Sequence, residues 1–219
     1  MIIYTYDTGH YLTLAESLKR QPQGLRSVYL NLTNRCTCSC TFCLRNLKKL
    51  DEQATLWLKQ EPSLEEVRQL LQRAPWPVIS EIVFCGFGEP TMRLDDVVEL
   101  LKYIKSTQPQ VKTRINTNGL ADLEYGRDTS AVFANHILDT ISISLNASNA
   151  ERYLALTRSK FGRPSFEAML RYAVHCQQYV PNVVMTVVDQ VEDPAEIEAC
   201  RALCQKWGLT LRVRAYEAN

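Results

Sequence analysis

The feature that most constrains this chain is a repeated unit. A short run of β-branched and apolar residues is followed by a turn and then by an amphipathic stretch at helical period. Strand-like runs fall at residues 27–33, 81–85, 112–118, 140–146, 183–188 and 209–214. Helical stretches lie between them. The first spans 63–73, where Ser63 and Glu66 form a capping box behind Pro62. The second spans 94–107, with Asp95 and Asp96 near its positive end. The others span 165–179, stopped before Pro181, and 194–207, ended by Gly208. Strands joined through helices pair in parallel, because a parallel neighbour needs a long crossover. The expected fold is therefore α/β: a partial (β/α)6 TIM-like barrel, with an open doubly wound sheet as the alternative. Residues 2–6 and 11–14 flank Asp7-Thr8-Gly9-His10 and read as a β-hairpin. We expect one domain, with a hairpin extension over 1–26 and a barrel core over 27–214.

A length of 219 residues is enough to bury a substantial core, and 46% hydrophobic with 22% charged residues is an ordinary globular balance. The net charge of +1 gives no global pull toward nucleic acid or anionic lipid. The N-terminus lacks a continuous apolar stretch, and no apolar run approaches membrane-spanning length, so a cytoplasmic location is expected. Eight cysteines in such a chain point to metal or redox chemistry rather than to a disulfide framework.

In parallel α/β sheets, function collects at the carboxyl ends of the strands. The informative residues lie there. Cys36, Cys40 and Cys43 follow the first core strand, and 86–90 (Gly-Phe-Gly-Glu-Pro) follows the second. Asn116 and Asn118 end the third, and Ser144 and Asn146 end the fourth. Soft thiolates favour iron–sulfur clusters or zinc. Three local thiolates leave one iron of a [4Fe–4S] cube without a protein ligand. Zinc wants four closed ligands, for which Cys38 or the helical pair Cys200 and Cys204 would have to serve.

The Cys36-x3-Cys40-x2-Cys43 spacing after the first strand of a βα chain resembles the radical S-adenosylmethionine superfamily. The resemblance covers most of the chain, from Ser27 to Arg214. It implies a [4Fe–4S] cluster on Cys36, Cys40 and Cys43, with S-adenosylmethionine on the open iron. It also implies reductive cleavage of that cofactor to a 5′-deoxyadenosyl radical that abstracts hydrogen from substrate. Phe42 would lie beside the adenine. Gly86, Phe87, Gly88 and Glu89 resemble the family's Gly-Gly-Glu-Pro turn, which accepts hydrogen bonds from the methionine ammonium; Phe87 departs from it by replacing a glycine. Asn116, Asn118, Ser144 and Asn146 would supply polar contacts to the cofactor. Ser142, Ser144 and Asn146 are expected on one strand face by period two. Arg158 and Arg214 are expected to grip a carboxylate or phosphate at the mouth. Cys38 is expected to be a bystander, and Cys176, Cys200 and Cys204 to be core.

Within the superfamily, the blocks 29–36, 83–91, 114–119 and 142–146 look most like the radical enzymes associated with TatD-family hydrolases. That likeness implies partnership with such a hydrolase, and the chemistry implies a one-electron donor such as flavodoxin or ferredoxin. The short barrel suggests a wide mouth, and with it a large substrate or a partner that closes the site. Two alternatives stand beside it: a small-molecule enzyme resembling 7-carboxy-7-deazaguanine synthase, and a noncatalytic, metal-stabilised adaptor.

Overall fold

In the computed structural model, the described residues are 1–47 and 55–215. They form one sheet in the order β2-β1-β3-β4-β5-β6-β7-β8. The strands are β1 (Ile3–Asp7), β2 (His10–Leu12), β3 (Arg26–Leu30), β4 (Ile79–Phe84), β5 (Lys112–Thr117), β6 (Thr140–Ser144), β7 (Asn182–Val188) and β8 (Thr210–Arg214). From β3 to β8 each strand pairs in parallel with the next. The hairpin extends the same sheet, since β1 pairs antiparallel with β3 through Ile3↔Leu30 and Tyr4↔Tyr29. The sheet is open, with β2 and β8 at its edges.

The helices are α1 (Leu14–Arg20), α2 (Leu44–Leu47), α3 (Leu64–Gln72), α4 (Leu94–Thr107), α5 (Ala121–Tyr125), α6 (Ala150–Thr157), α7 (Pro164–Cys176) and α8 (Pro194–Lys206). The capping box expected at Ser63 is present: Glu66 N donates to Ser63 Oγ, and Ser63 N donates to the Glu66 carboxylate. Helix α1 was not anticipated. The second hairpin strand stops at Leu12 because Thr13 caps a helix, with Glu16 closing a second capping box. Helices α5 and α6 were also unexpected. Asn149 starts α6 by accepting from Arg152 N.

Alternation along the strands divides the sheet into two chemically distinct faces. Val28, Leu30, Ile82, Phe84, Ile115, Ile141, Ile143, Met185 and Val187 point to one side, buried in the main core. Helix α4 covers that side with Val97, Leu100, Leu101 and Ile104, and α7 with Met169, Leu170, Ala173 and Cys176. Each such aliphatic side chain contributes about 1.5–3 kcal/mol on burial, so the helix-covered face carries most of the stability. Cys176, Cys200 and Cys204 are buried in this core, as expected. The opposite face carries Tyr29, Arg114, Asn116, Ser142, Ser144, Arg212 and Arg214. The register aligns these positions through Tyr29↔Val83↔Arg114, Asn116↔Ser142 and Ser144↔Thr186↔Arg212.

Two strands end sooner than the sequence suggests. Strand β6 stops at Ser144, and Asn146 has a left-handed backbone with φ 62°, which no extended strand can accommodate. The expected shared face of Ser142, Ser144 and Asn146 therefore holds only for the two serines. Strand β3 stops at Leu30; the Asn31 amide donates to Ile2 O beside the hairpin, and Leu30 O accepts from Cys85 N. Among the described residues, no helix is long and apolar enough to cross a membrane.

Candidate active site

The cysteine loop leaves the carboxyl end of β3 and is fastened on both sides by backbone hydrogen bonds. Ser39 N donates to Thr157 O and Thr41 N to Leu156 O, each at 2.9 Å, tying the loop to the end of α6. Lys160 N donates to Thr37 O at 2.9 Å, and Glu89 N to Arg35 O at 2.8 Å. The Arg45 guanidinium donates to Cys38 O at 2.9 Å. Cys36, Cys40 and Cys43 are half-buried, whereas Cys38 is 5% exposed and packs in the core. The contact with Cys38, reinforced by burial, pushes the Cys36 thiol well up. The Cys36 contact pulls the Cys38 thiol down, but Cys40 and burial outweigh it and leave Cys38 at about 12. The Cys38 contact and burial favour the protonated Cys36 thiol, whose proton a bound metal would displace.

The sulfur spacing tests which metal the loop fits. A single tetrahedral zinc draws its thiolates to about 3.8 Å from one another. Among the described residues, the only three ligand atoms within 4.8 Å of one another belong to Asp122, Asp128 and His175, away from the cysteines. Cys36, Cys40 and Cys43 do not form a compact triad of that size, although Cys38 touches both Cys36 and Cys40. Soft donors, half-buried on a loop pinned from two sides, fit a larger iron–sulfur cluster.

The 86–90 turn leaves β4 and lies directly on the start of the cysteine loop. A Cβ on Gly86 would meet Asn31 Oδ1 at 2.0 Å, and one on Gly88 would meet Thr33 O at 2.1 Å and Arg35 O at 2.8 Å. Close backbone approach is the reason for both glycines. Phe87, the departure from the family turn, is buried under the hairpin with Tyr4, Tyr11 and Leu56. Its ring meets Tyr11 edge-on at 6.3 Å and Trp57 at 5.5 Å.

Glu89 turns inward. Its Oε1 accepts from Thr91 N at 3.1 Å, Thr91 Oγ1 at 2.8 Å and Thr117 Oγ1 at 2.7 Å. Its Oε2 accepts from Asn118 N at 2.7 Å. Burial raises its pKa, opposed by those bonds from Thr117, Asn118 and Thr91. Asn118 continues the chain of contacts, since its Nδ2 donates to Thr37 Oγ1 at 2.8 Å and lies 3.9 Å from Cys36 Sγ and 3.7 Å from Cys38 Sγ. A run of polar contacts thus connects the 86–90 turn, the end of β5 and the cysteine loop.

On the concave side of the sheet is a cavity of about 460 Å³. Cys40, Phe42 and Cys43 form one end of it, with Gly86 and Phe87 beside them. Asn116, Ser144 and Arg214 line it from the strands. Asn116 Oδ1 is buried without a hydrogen-bond partner among the described residues. Gly88, Glu89, Asn118 and Asn146 are not among its walls. Asn146 Nδ2 makes only a 3.5 Å contact to Ser144 O. Arg158, expected at the mouth, is not among the cavity walls. It caps the end of α6 in a left-handed conformation, exposed and outside the cavity.

Sequence reasoning missed the hairpin side of this cavity. Tyr4, Tyr6, Tyr11 and Tyr29 all line it, and Tyr4 hydroxyl donates to Cys85 O at 3.1 Å. Alternation of Tyr4 with Tyr6 was a visible sign, but the pairing of β1 with β3 that aims them at the cavity was not. Arg114 was also missed, although period two places it with Asn116.

Comparison with known proteins follows this geometry. The family model for the radical SAM superfamily matches residues 30–204. A GTP 3',8-cyclase from Corynebacterium glutamicum (strain R) is 33% identical over 140 residues, 61% of this chain and 34% of that protein. One from Lactiplantibacillus plantarum is 30% identical over 133 residues, 60% of this chain and 36% of that protein. The chain thus spans about a third of the length of these curated relatives. SuiB from Streptococcus suis, solved with the precursor peptide SuiA, superposes with a TM-score of 0.65 at 18% identity, over 92% of this chain and 42% of SuiB. A radical SAM methyltransferase from Sphaerobacter thermophilus gives 0.60 at 18% identity, over 87% of this chain and 55% of that one. At these identities the structural likeness is one of fold.

Proposed function

The chain belongs to the radical SAM superfamily, and from that membership we propose that it starts radical chemistry on a small molecule held in the concave cavity. Cys36, Cys40 and Cys43 would hold the [4Fe–4S] cluster. When bound, the cluster and S-adenosylmethionine supply one-electron cleavage of the sulfonium and a 5′-deoxyadenosyl radical. The observation that carries the reading is that Cys40 and Cys43 share the cavity with Asn116, Ser144 and Arg214. Cluster ligands and candidate ligand-binding residues therefore face one space.

The chain's own residues would position and enclose. The backbone carbonyls of Gly86 and Phe87 would supply acceptors for an ammonium group, and Phe42 a ring for the adenine. Asn116 and Ser144 offer polar contacts at mid-cavity, and Arg214 offers a cation. Glu89 and Asn118 act at one remove, by fixing the 86–90 turn and the end of β5 against the cysteine loop. The hairpin closes a side that a bare six-unit barrel would leave open. A cavity of about 460 Å³ lies within the range of small-molecule sites, and S-adenosylmethionine itself would occupy much of it.

A second reading, that the substrate is a purine nucleotide, is supported by the 33% identity to a GTP 3',8-cyclase. Direct titration of the reconstituted protein with GTP tests it. A flavodoxin or ferredoxin would supply the electron, and partnership with a TatD-type hydrolase is tested by co-purification of the two proteins. The reading as a whole is tested by electron paramagnetic resonance of the anaerobically reconstituted, reduced protein. S-adenosylmethionine should perturb the cluster signal; an unperturbed signal in protein holding four irons would count against it.

A further inference from the structure

Part of the cavity wall is built from arginines. Strand register places Arg114 of β5 with Arg212 and Arg214 of β8 on the concave face, and all three line the cavity. Arg114 Nη2 pairs with Glu81 at 2.9 Å, while its Nε is buried with no hydrogen-bond partner among the described residues. Arg212 Nη2 donates to the Ser142 hydroxyl at 3.1 Å. The Arg214 guanidinium has no side-chain partner among the described residues.

Among the described residues these three arginines pair with one carboxylate, Glu81, and no Asp or Glu lies among the cavity walls, which also carry Arg45. Burial, together with the neighbouring Arg114 and Arg214, lowers the pKa of Arg212, as expected for like charges held close. A protein gains nothing in stability from such an excess. Planar guanidinium forks with free N–H groups match a carboxylate or phosphate in two-point contact. Beside them stands the aromatic side, where Tyr4 stacks on Tyr29 at 5.0 Å and Tyr6 and Tyr11 face the same space.

We propose that Arg114, Arg212 and Arg214 form an oxyanion subsite for the substrate, so that the enzyme acts on a small molecule bearing a carboxylate or phosphate whose body lies against the hairpin tyrosines. Calling the bound molecule a substrate rests on the radical reading above; the anion site itself rests on the arginines.

The test is calorimetric titration of the reconstituted protein with inorganic pyrophosphate and, separately, with succinate, alongside S-adenosylmethionine. One probe should bind saturably, and its identity assigns a phosphate or a carboxylate. Arg212→Gln combined with Arg214→Gln should weaken that probe about 10-fold or more, with the paired lysine substitutions recovering part of it. Arg214→Gln alone, which removes no internal bond, is the second variant should the double one fold poorly. Saturable binding of neither probe, or binding undiminished in both variants, overturns the proposal. So does an equal loss of S-adenosylmethionine affinity, which would assign the arginines to the cofactor. Iron content and 5′-deoxyadenosine formation by the same wild-type preparation report on the radical reading separately, so either account can fail without the other.

Discussion

The Glu89 carboxylate accepts a 2.7 Å hydrogen bond from the backbone amide of Asn118, whose side chain then reaches Thr37 in the cysteine loop. One buried anion thereby couples the turn after β4, the end of β5 and the candidate cluster loop. Glu89→Gln would present an amide N–H toward donors that need an acceptor. We expect a stability loss of about 1–3 kcal/mol and poorer retention of iron, read by denaturant unfolding and by iron analysis after gel filtration. Unchanged stability with full iron retention would contradict this role.

The cysteines should separate by function. Cys36→Ala, Cys40→Ala and Cys43→Ala are each expected to abolish binding of four irons on anaerobic reconstitution. Cys38→Ala should load iron as the wild type does. It should also lose about 1 kcal/mol of stability, because its sulfur is packed in the core. Loss of iron in the Cys38 variant would make it a ligand.

Phe87 joins the hairpin to the 86–90 turn through Tyr11 and Trp57. Phe87→Ala should cost about 3–5 kcal/mol and speed amide exchange in β1 and β2. Exchange unchanged in those strands would separate the hairpin from the turn.

Asp139 gives the fold a defined acid sensitivity. Burial raises its pKa, but bonds from Lys105 Nζ at 2.6 Å, Thr113 N at 2.7 Å and Thr113 Oγ1 at 3.0 Å outweigh it, and the net pKa is lowered. A carboxylate depressed by folding stabilises above its unfolded pKa of about 3.9. That contribution falls away as pH drops through the lower folded value. Asp139→Asn should therefore be destabilised near neutral pH and lose less on acidification than the wild type, as measured by urea unfolding across pH.

The reasons some features were legible are local. Helix α4 was read with its observed bounds because its apolar period and first-turn acids are carried by neighbouring residues. The three-cysteine spacing was legible for the same reason, being contained in one loop. Asn146 was misplaced because its left-handed φ is set at the end of β6, where alternation stops. Helix α1 was missed because Tyr11 and Leu12 do form a strand, and only the Thr13–Glu16 pair marks the change. The inward turn of Glu89 and the convergence of Arg114 with Arg212 and Arg214 depend on strands far apart in sequence, which parallel pairing brings together.

The most direct measurement is anaerobic reconstitution with iron and sulfide, followed by reduction in the presence of S-adenosylmethionine and quantification of 5′-deoxyadenosine. The account predicts that the wild type forms it and that Cys36→Ala, Cys40→Ala and Cys43→Ala do not. Wild-type protein that holds four irons and binds S-adenosylmethionine yet forms no 5′-deoxyadenosine would contradict it.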